Sequence, residues 1–166
     1  MITIISGTNR KGSRTLQVAQ YYLNILKPRL PDTRLLSLEN IPTYSREGPL
    51  LKAEKELLIP SDKFIIIMPE YNGSFPGVLK ALFDNTDIKK CWWYKKALLV
   101  GLADGRGGNL RGLEHMTNIL HYLKMNVHYN KLPLSKINNE LNAEGKFFNP
   151  GTAKAIEEQI SDFVAY

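Results

Sequence analysis

Five apolar residues in unbroken succession, Phe64-Ile65-Ile66-Ile67-Met68, run straight into a proline at position 69. A strand with one wet face alternates apolar and polar residues. A short continuous apolar run instead reads as a strand covered on both faces, the pattern of a central strand in a parallel sheet. Such a sheet needs helices on either side of it, so this one stretch confines the chain to a layered α/β architecture.

The N-terminus agrees. Ile2, Ile4 and Ile5 with Thr3 form a β-branched run suited to a second buried strand, which breaks at Ser6-Gly7. Eight polar, glycine-bearing residues then lead to Thr15, where Leu16, Val18, Ala19, Tyr22, Leu23 and Leu26 fall at helical spacings until Pro28 and Pro31. Strand, polar loop and helix in that order form the first half of a parallel β-α-β unit, completed by a strand over Thr33–Leu38.

The same alternation continues down the chain. Glu39–Pro49 reads as a loop and Leu50–Leu58 as a short helix, followed by the apolar strand. A helix beginning near Pro76 carries Val78, Leu79, Leu82 and Phe83, and Ala97–Ala103 is a fourth strand. Leu110, Leu113, Met116, Ile119, Leu120 and Leu123 mark the next helix. A brief fifth strand is expected around Val127 and Tyr129, a turn at Asn142–Gly145, and a closing amphipathic helix over Thr152–Tyr166. No repeat or low-complexity segment interrupts the pattern, and 166 residues suit one doubly wound domain over 1–166.

Composition narrows the function classes. The chain is 43% hydrophobic and 23% charged, as globular proteins are. Its net charge of +6 comes from scattered cations, with no run of five, so a nucleic-acid arm is not expected, while anionic small molecules are mildly attracted. No apolar run is long enough to span a bilayer and no secretory signal pattern opens the sequence, so a soluble cytoplasmic protein without a membrane partner is expected. Cys91, the single cysteine, reads as a packed thiol. His115 and His121 are six apart on one helix, a spacing that does not bring them together for a metal.

Three loops follow the carboxyl ends of strands, where open parallel sheets bind ligands. The first, Gly7–Thr15, crowds Thr8, Ser13 and Thr15 hydroxyls with Arg10, Lys11 and Arg14 ahead of a helix N-terminus, whose unpaired N–H groups and dipole attract anions. Gly7 and Gly12 match the triphosphate-loop spacing G-x-x-x-x-G-K-[ST], but Ser13 replaces the lysine that reaches the outer phosphates. A terminal monophosphate is therefore favoured over ATP or GTP. The second loop is Pro69-Glu70-Tyr71-Asn72-Gly73-Ser74-Phe75-Pro76-Gly77. In the third, Asp104-Gly105-Arg106-Gly107-Gly108-Asn109, the glycines permit a close backbone approach that could cover a flat ligand. Trp92-Trp93-Tyr94 reads either as packing or as an oligomer contact.

Gly7-Thr8-Asn9-Arg10-Lys11-Gly12-Ser13-Arg14-Thr15 resembles the G-[ST]-x-R-x-x-S-x-N phosphate loop of the NAD(P)H-dependent FMN reductase family of flavodoxin-like proteins. Pro69 to Pro76 is similar to that family's flavin-edge motif P-E-Y-N-x-S-x-P. The family includes quinone, chromate and azo-dye reductases. This resemblance implies a five-stranded parallel sheet in the order 2-1-3-4-5, bound FMN, NAD(P)H as hydride donor and a homodimer or homotetramer. Thr8, Arg10, Ser13 and Thr15, with Arg14 adding charge, would hold the FMN phosphate. Pro69, Glu70, Tyr71, Asn72 and Gly73 would line the ring, with Asp104 and Gly105 beside it. Thr15 departs from the usual Asn, the family's tryptophan is missing at Asp84-Asn85-Thr86, and the Asp104–Arg106 loop differs from the commoner serine-containing form.

With FMN bound, the chemistry belongs to the cofactor, so no catalytic triad or metal is expected. Glu70 is expected to act through loop geometry. The function implied is transfer of hydride from NAD(P)H to flavin and of electrons to a quinone, free flavin, azo compound or metal oxyanion. An FMN-binding electron carrier or redox sensor is the alternative, and a positive charge disfavours it. Against a nucleotide hydrolase, the chain lacks the loop lysine and has no clear Mg²⁺-binding aspartate at the end of the third strand.

Overall fold

The computed structural model describes residues 1–166. Strands β1 (Ile2–Ser6), β2 (Thr33–Ser37), β3 (Lys63–Pro69) and β4 (Lys96–Leu102) form a parallel sheet in the order β2-β1-β3-β4. Ile4 stands between Leu35 and Ile65, and Ser6 between Ser37 and Ile67. Two short strands, β5 (Asn126–Val127) and β6 (Leu132–Leu134), both pair parallel with β4 at the far edge.

The apolar run in β3 is explained by the layers around it. Phe64, Ile66 and Met68 join one buried cluster, beneath helices α3 (Gly77–Asp84) and α5 (Leu110–Tyr122). Ile65 and Ile67 join another beneath α1 (Arg14–Leu26) and α7 (Pro150–Ala165). Each fully buried aliphatic or aromatic side chain contributes about 1.5–3 kcal/mol, so both faces of β3 add to stability.

The fifth strand differs from expectation. Tyr129, placed in it by its pattern, is 78% exposed and lies where the chain leaves the sheet between β5 and β6. There the Asn130 carbonyl turns to accept from Gln159 Nε2 at 2.7 Å, while Gln159 Oε1 accepts from the buried Tyr22 hydroxyl at 2.7 Å. Pro133 within β6 has no N–H to donate, which an edge position permits.

The segment after β2 is more structured than a loop. A 3₁₀ turn, Leu38–Asn40, follows the strand, and α2 (Gly48–Ala53) runs into a π turn at Glu54–Leu58. Between them Arg46 clamps the buried Glu54 carboxylate through Nε at 2.9 Å and Nη2 at 2.7 Å, and the Asp87 N–H adds a third bond at 3.0 Å. Those bonds, Arg46's first, hold the Glu54 carboxyl below its usual range despite burial. Two four-residue helices, α4 (Ile88–Cys91) and α6 (Ile137–Glu140), were not anticipated, and α7 starts two residues early because Asn149 caps it.

Trp92 resolves as core. Its ring packs 5.0 Å from Phe64 and 4.5 Å from Phe83, and its indole N–H reaches Thr86 Oγ1 at 3.0 Å. Tyr94 is 69% exposed, and Trp93 lies under the Lys124 ammonium at 3.8 Å. No helix is long and apolar enough to cross a membrane.

Candidate functional site

The loops following β1, β3 and β4 meet at the carboxyl edge of the sheet. Beyond β1, the Gly7 N–H extends the pairing by donating to the Ile67 carbonyl at 2.8 Å. The chain then crosses to α1, where Ser13 is the N-cap and its Oγ accepts from the Leu16 N–H at 3.2 Å. The loop's side chains are largely committed within the protein. Thr8 is buried, and its Oγ1 lies 2.7 Å from the Tyr71 hydroxyl while accepting from the Arg10 N–H at 3.3 Å. The Arg10 guanidinium sits over the Tyr71 ring, 4.3 Å from its centroid. Arg14 turns aside to Gln17 at 2.8 Å and Asn138 at 3.4 Å. Thr15 is buried at the start of the helix.

Besides the exposed side chains of Asn9 and Lys11, what remains free is backbone. The N–H groups of Asn9, Lys11 and Ser13 donate to no acceptor in the chain. The first-turn amides of α1 lie outside the helical ladder by geometry. Gly12 alone donates to a carboxylate, Glu39 Oε1, at 3.0 Å. Beneath the loop the buried Ser6 hydroxyl, at the carboxyl end of β1, has no partner. Free donors, an orphaned hydroxyl and a carboxylate already seated on one N–H are the features of an anion cradle, and they fit a phosphate monoester.

The second loop is a tight hairpin. Tyr71 and Ser74 exchange backbone bonds at 2.9 and 3.1 Å around Asn72 (φ 49°) and Gly73 (φ 82°). Two successive positive φ values define a type I′ turn, for which Asn-Gly is the favoured pair. The Glu70 carboxylate accepts from the Gly73 N–H, closing the turn from below, and the Glu70 N–H donates to the Leu102 carbonyl at 2.7 Å. Glu70 thus has the geometric role read from the sequence. Pro69 ends β3 opposite Leu102.

The third loop is braced by a residue that the sequence reading passed over. Asn109 is buried in the left-handed region, φ 66°. Its Oδ1 caps α5 at the Gly112 N–H, 3.2 Å away, and its Nδ2 donates to the Met68 carbonyl at 3.2 Å. One amide therefore ties the β4 loop to the end of β3. An Asn directly ahead of a helical pattern is an N-cap signal, so this residue was findable. Asp104 and Gly105 are exposed, and the Gly105 carbonyl accepts from the Lys136 N–H at 3.1 Å.

Between the second and third loops lies a cavity of about 500 Å³, lined by Glu70, Gly73, Ala103, Gly105, Asn109 and Arg111 among others. Of the residues singled out in the sequence, Glu70, Gly73 and Gly105 line it, Tyr71 bridges to the first loop, and Arg14 stands apart. His115 reaches the second loop, with Nδ1 2.9 Å from Ser74 Oγ. No group of three or more metal-ligating side chains is present.

Sheet order, an anion cradle opening α1, and a cavity between the next two loops together define a mononucleotide-binding protein of flavodoxin type. The model of the NADPH-dependent FMN reductase family matches residues 1–139, and the chain belongs to that family. It is 25% identical over 170 residues to the NADPH azoreductase of Bacillus sp. (strain OY1-2), covering 99% of this chain and 91% of that one. It is 23% identical to a 2-hydroxy-1,4-benzoquinone reductase from Burkholderia sp., covering 99% and 94%. Among solved structures, the flavoenzyme NAD(P)H:(acceptor) oxidoreductase FerB from Paracoccus denitrificans superposes with a TM-score of 0.79 at 22% identity, over 99% and 95% of the two chains. The protein is accordingly an NAD(P)H-dependent oxidoreductase that works with FMN.

Proposed function

We propose that the chain acts as one FMN-binding domain over residues 1–166, transferring electrons from NAD(P)H to a small acceptor, a quinone or an azo compound. The cradle between Thr8 and Thr15 holds the flavin phosphate, chiefly through backbone N–H groups. Pro69 to Gly73, Asp104 and Gly105 flank the ring. Bound there, FMN supplies the two-electron chemistry.

The protein's own contribution is positional. The I′ turn at Asn72-Gly73, pinned by Glu70, presents backbone to one edge of the ring site. Asn109 keeps the opposite loop in register with β3. Thr8 and Tyr71 couple the phosphate end to the ring end, so that the two are held as one rigid surface.

The observation that carries this reading is the convergence of an anion cradle and a 500 Å³ cavity at one sheet edge, joined by the Thr8–Tyr71 contact. The quinone and azo acceptors are supported by the names of the full-length relatives. A cytoplasmic setting suits a pyridine-nucleotide donor. Assembly into a homodimer or homotetramer is supported by Tyr122, 82% exposed, beside a groove between α3 and α5 that also carries Ile88.

Anaerobic NADPH added to FMN-loaded protein should bleach the flavin absorbance, and a benzoquinone or azo dye should then sustain turnover. Binding of FMN without oxidation of either NADPH or NADH would replace this reading with that of an electron carrier.

A further inference from the structure

We propose that Glu39 sets how long FMN stays on this protein: its carboxylate anchors the phosphate loop at Gly12 and, by its charge, weakens the loop's hold on the flavin phosphate. This rests on the reading that the Thr8–Thr15 cradle takes that phosphate.

The geometry is specific. Glu39 projects from the 3₁₀ turn after β2 and accepts the Gly12 N–H at 3.0 Å. It forms no ion pair, although Arg10, Lys11 and Arg14 all belong to the loop it touches. Arg10 is spread over the Tyr71 ring, and Arg14 is directed to Gln17 and Asn138. The carboxylate therefore lies on the cradle's backbone without a direct ion pair to any cation of the loop.

Its position is not a matter of loop wandering. The following segment is tied down by Arg46 on the buried Glu54 and by the Asp87 N–H on the same carboxylate. The 3₁₀ turn itself is held by the buried Leu38 and by Ser37 Oγ, which accepts from the Glu39 N–H at 3.3 Å.

A phosphate dianion received by the unfilled N–H groups of Lys11 or Ser13 sits next to the Gly12 amide in sequence, and so within a few ångströms of the Glu39 carboxylate. Like charges at that range repel appreciably at a partly exposed site. The consequence is a flavin that is bound yet released readily, which suits an enzyme whose FMN exchanges with the free pool as a substrate. Lowering the charge while keeping the acceptor separates the two roles: in Glu39→Gln the amide oxygen still accepts from Gly12, and the repulsion is gone.

The test titrates flavin-free wild-type and Glu39→Gln protein with FMN and, in parallel, with riboflavin, which lacks the phosphate, following quenching of flavin fluorescence. The expected result is that Glu39→Gln lowers the Kd for FMN about five- to tenfold, as removal of one nearby charge does at a partly exposed site, and slows FMN release, while the Kd for riboflavin is unchanged. An unchanged or raised Kd for FMN in Glu39→Gln overturns the proposal, and so does equal tightening of both flavins. Wild-type protein that quenches neither flavin overturns the underlying assignment of the site, an outcome distinct from the others.

Discussion

The hydroxyl oxygens of Thr8 and Tyr71 lie 2.7 Å apart, across 63 residues of sequence, and join the loop that ends β1 to the loop that ends β3. Arg10 stacked on the same tyrosine ring makes Tyr71 the keystone of both. Tyr71→Phe keeps the ring and deletes the bond. A single neutral hydrogen bond is worth about 0.5–1.5 kcal/mol, so FMN affinity should fall about two- to tenfold by fluorescence titration. Tyr71→Ala also removes the perch of Arg10 and should cost more.

Gly101 on β4 lies directly beneath the third loop. A Cβ at this position would run into the Gly108 carbonyl oxygen and meet Leu113 Cδ1 at 3.1 Å. Overpacking of this kind costs about 1–3 kcal/mol. Gly101→Ala should therefore lower Tm by roughly 2–4 °C per kcal/mol lost and weaken flavin binding together with it, because the loop carrying Asn109 must shift. Unaltered flavin affinity in a destabilised variant would detach this loop from the site.

Cys91 is buried, and burial pushes its thiol up to about 12. The thiolate is the reactive species, so the native protein should resist a thiol reagent at pH 8 and react fully once unfolded in denaturant. Rapid labelling of the folded protein would contradict the packing of α4.

His128 is buried against Phe163 and Tyr166 of the C-terminal region, with ring centroids 5.8 and 5.0 Å away. Burial, opposed by the attraction of Asp162 and reinforced by Lys63, lowers its pKa. The unfolded chain therefore binds a proton more readily than the folded one, and stability falls as pH drops below the ordinary histidine value of about 6.5 toward the folded value. Melting curves between pH 8 and 5 should show this acid-side loss, and His128→Phe should reduce it.

The course of the fold could be read from the sequence because its strongest signals are local: the run at Phe64–Met68, the breaks at Gly7 and Pro69, and the helical stripe of α5. The Asn-Gly turn and the Ser13 cap are also local and were equally visible. What escaped was long-range. The split of the fifth strand coincides with a contact from Gln159 of α7 to the Asn130 carbonyl, and Trp92 was ambiguous until Phe64 and Phe83 closed on it. Glu39 reached Gly12 across 27 residues, a contact no spacing rule announces. Within the site, the sequence reading named hydroxyls and guanidinium groups of the first loop, and the fold adds contacts it did not foresee: Thr8 and Arg10 to Tyr71, and Arg14 to Asn138.

The central claim is that the cradle at Thr8–Thr15 and the cavity beside Gly73 together hold FMN. Its most direct measurement is the melting temperature of flavin-free protein with and without FMN. Ligand at about 100 times its Kd adds about 2.7 kcal/mol to stability, which for a chain of this length is a rise of roughly 5–10 °C, with a smaller rise for riboflavin. A Tm that does not move at saturating FMN, with flavin fluorescence equally unaffected, would contradict the account.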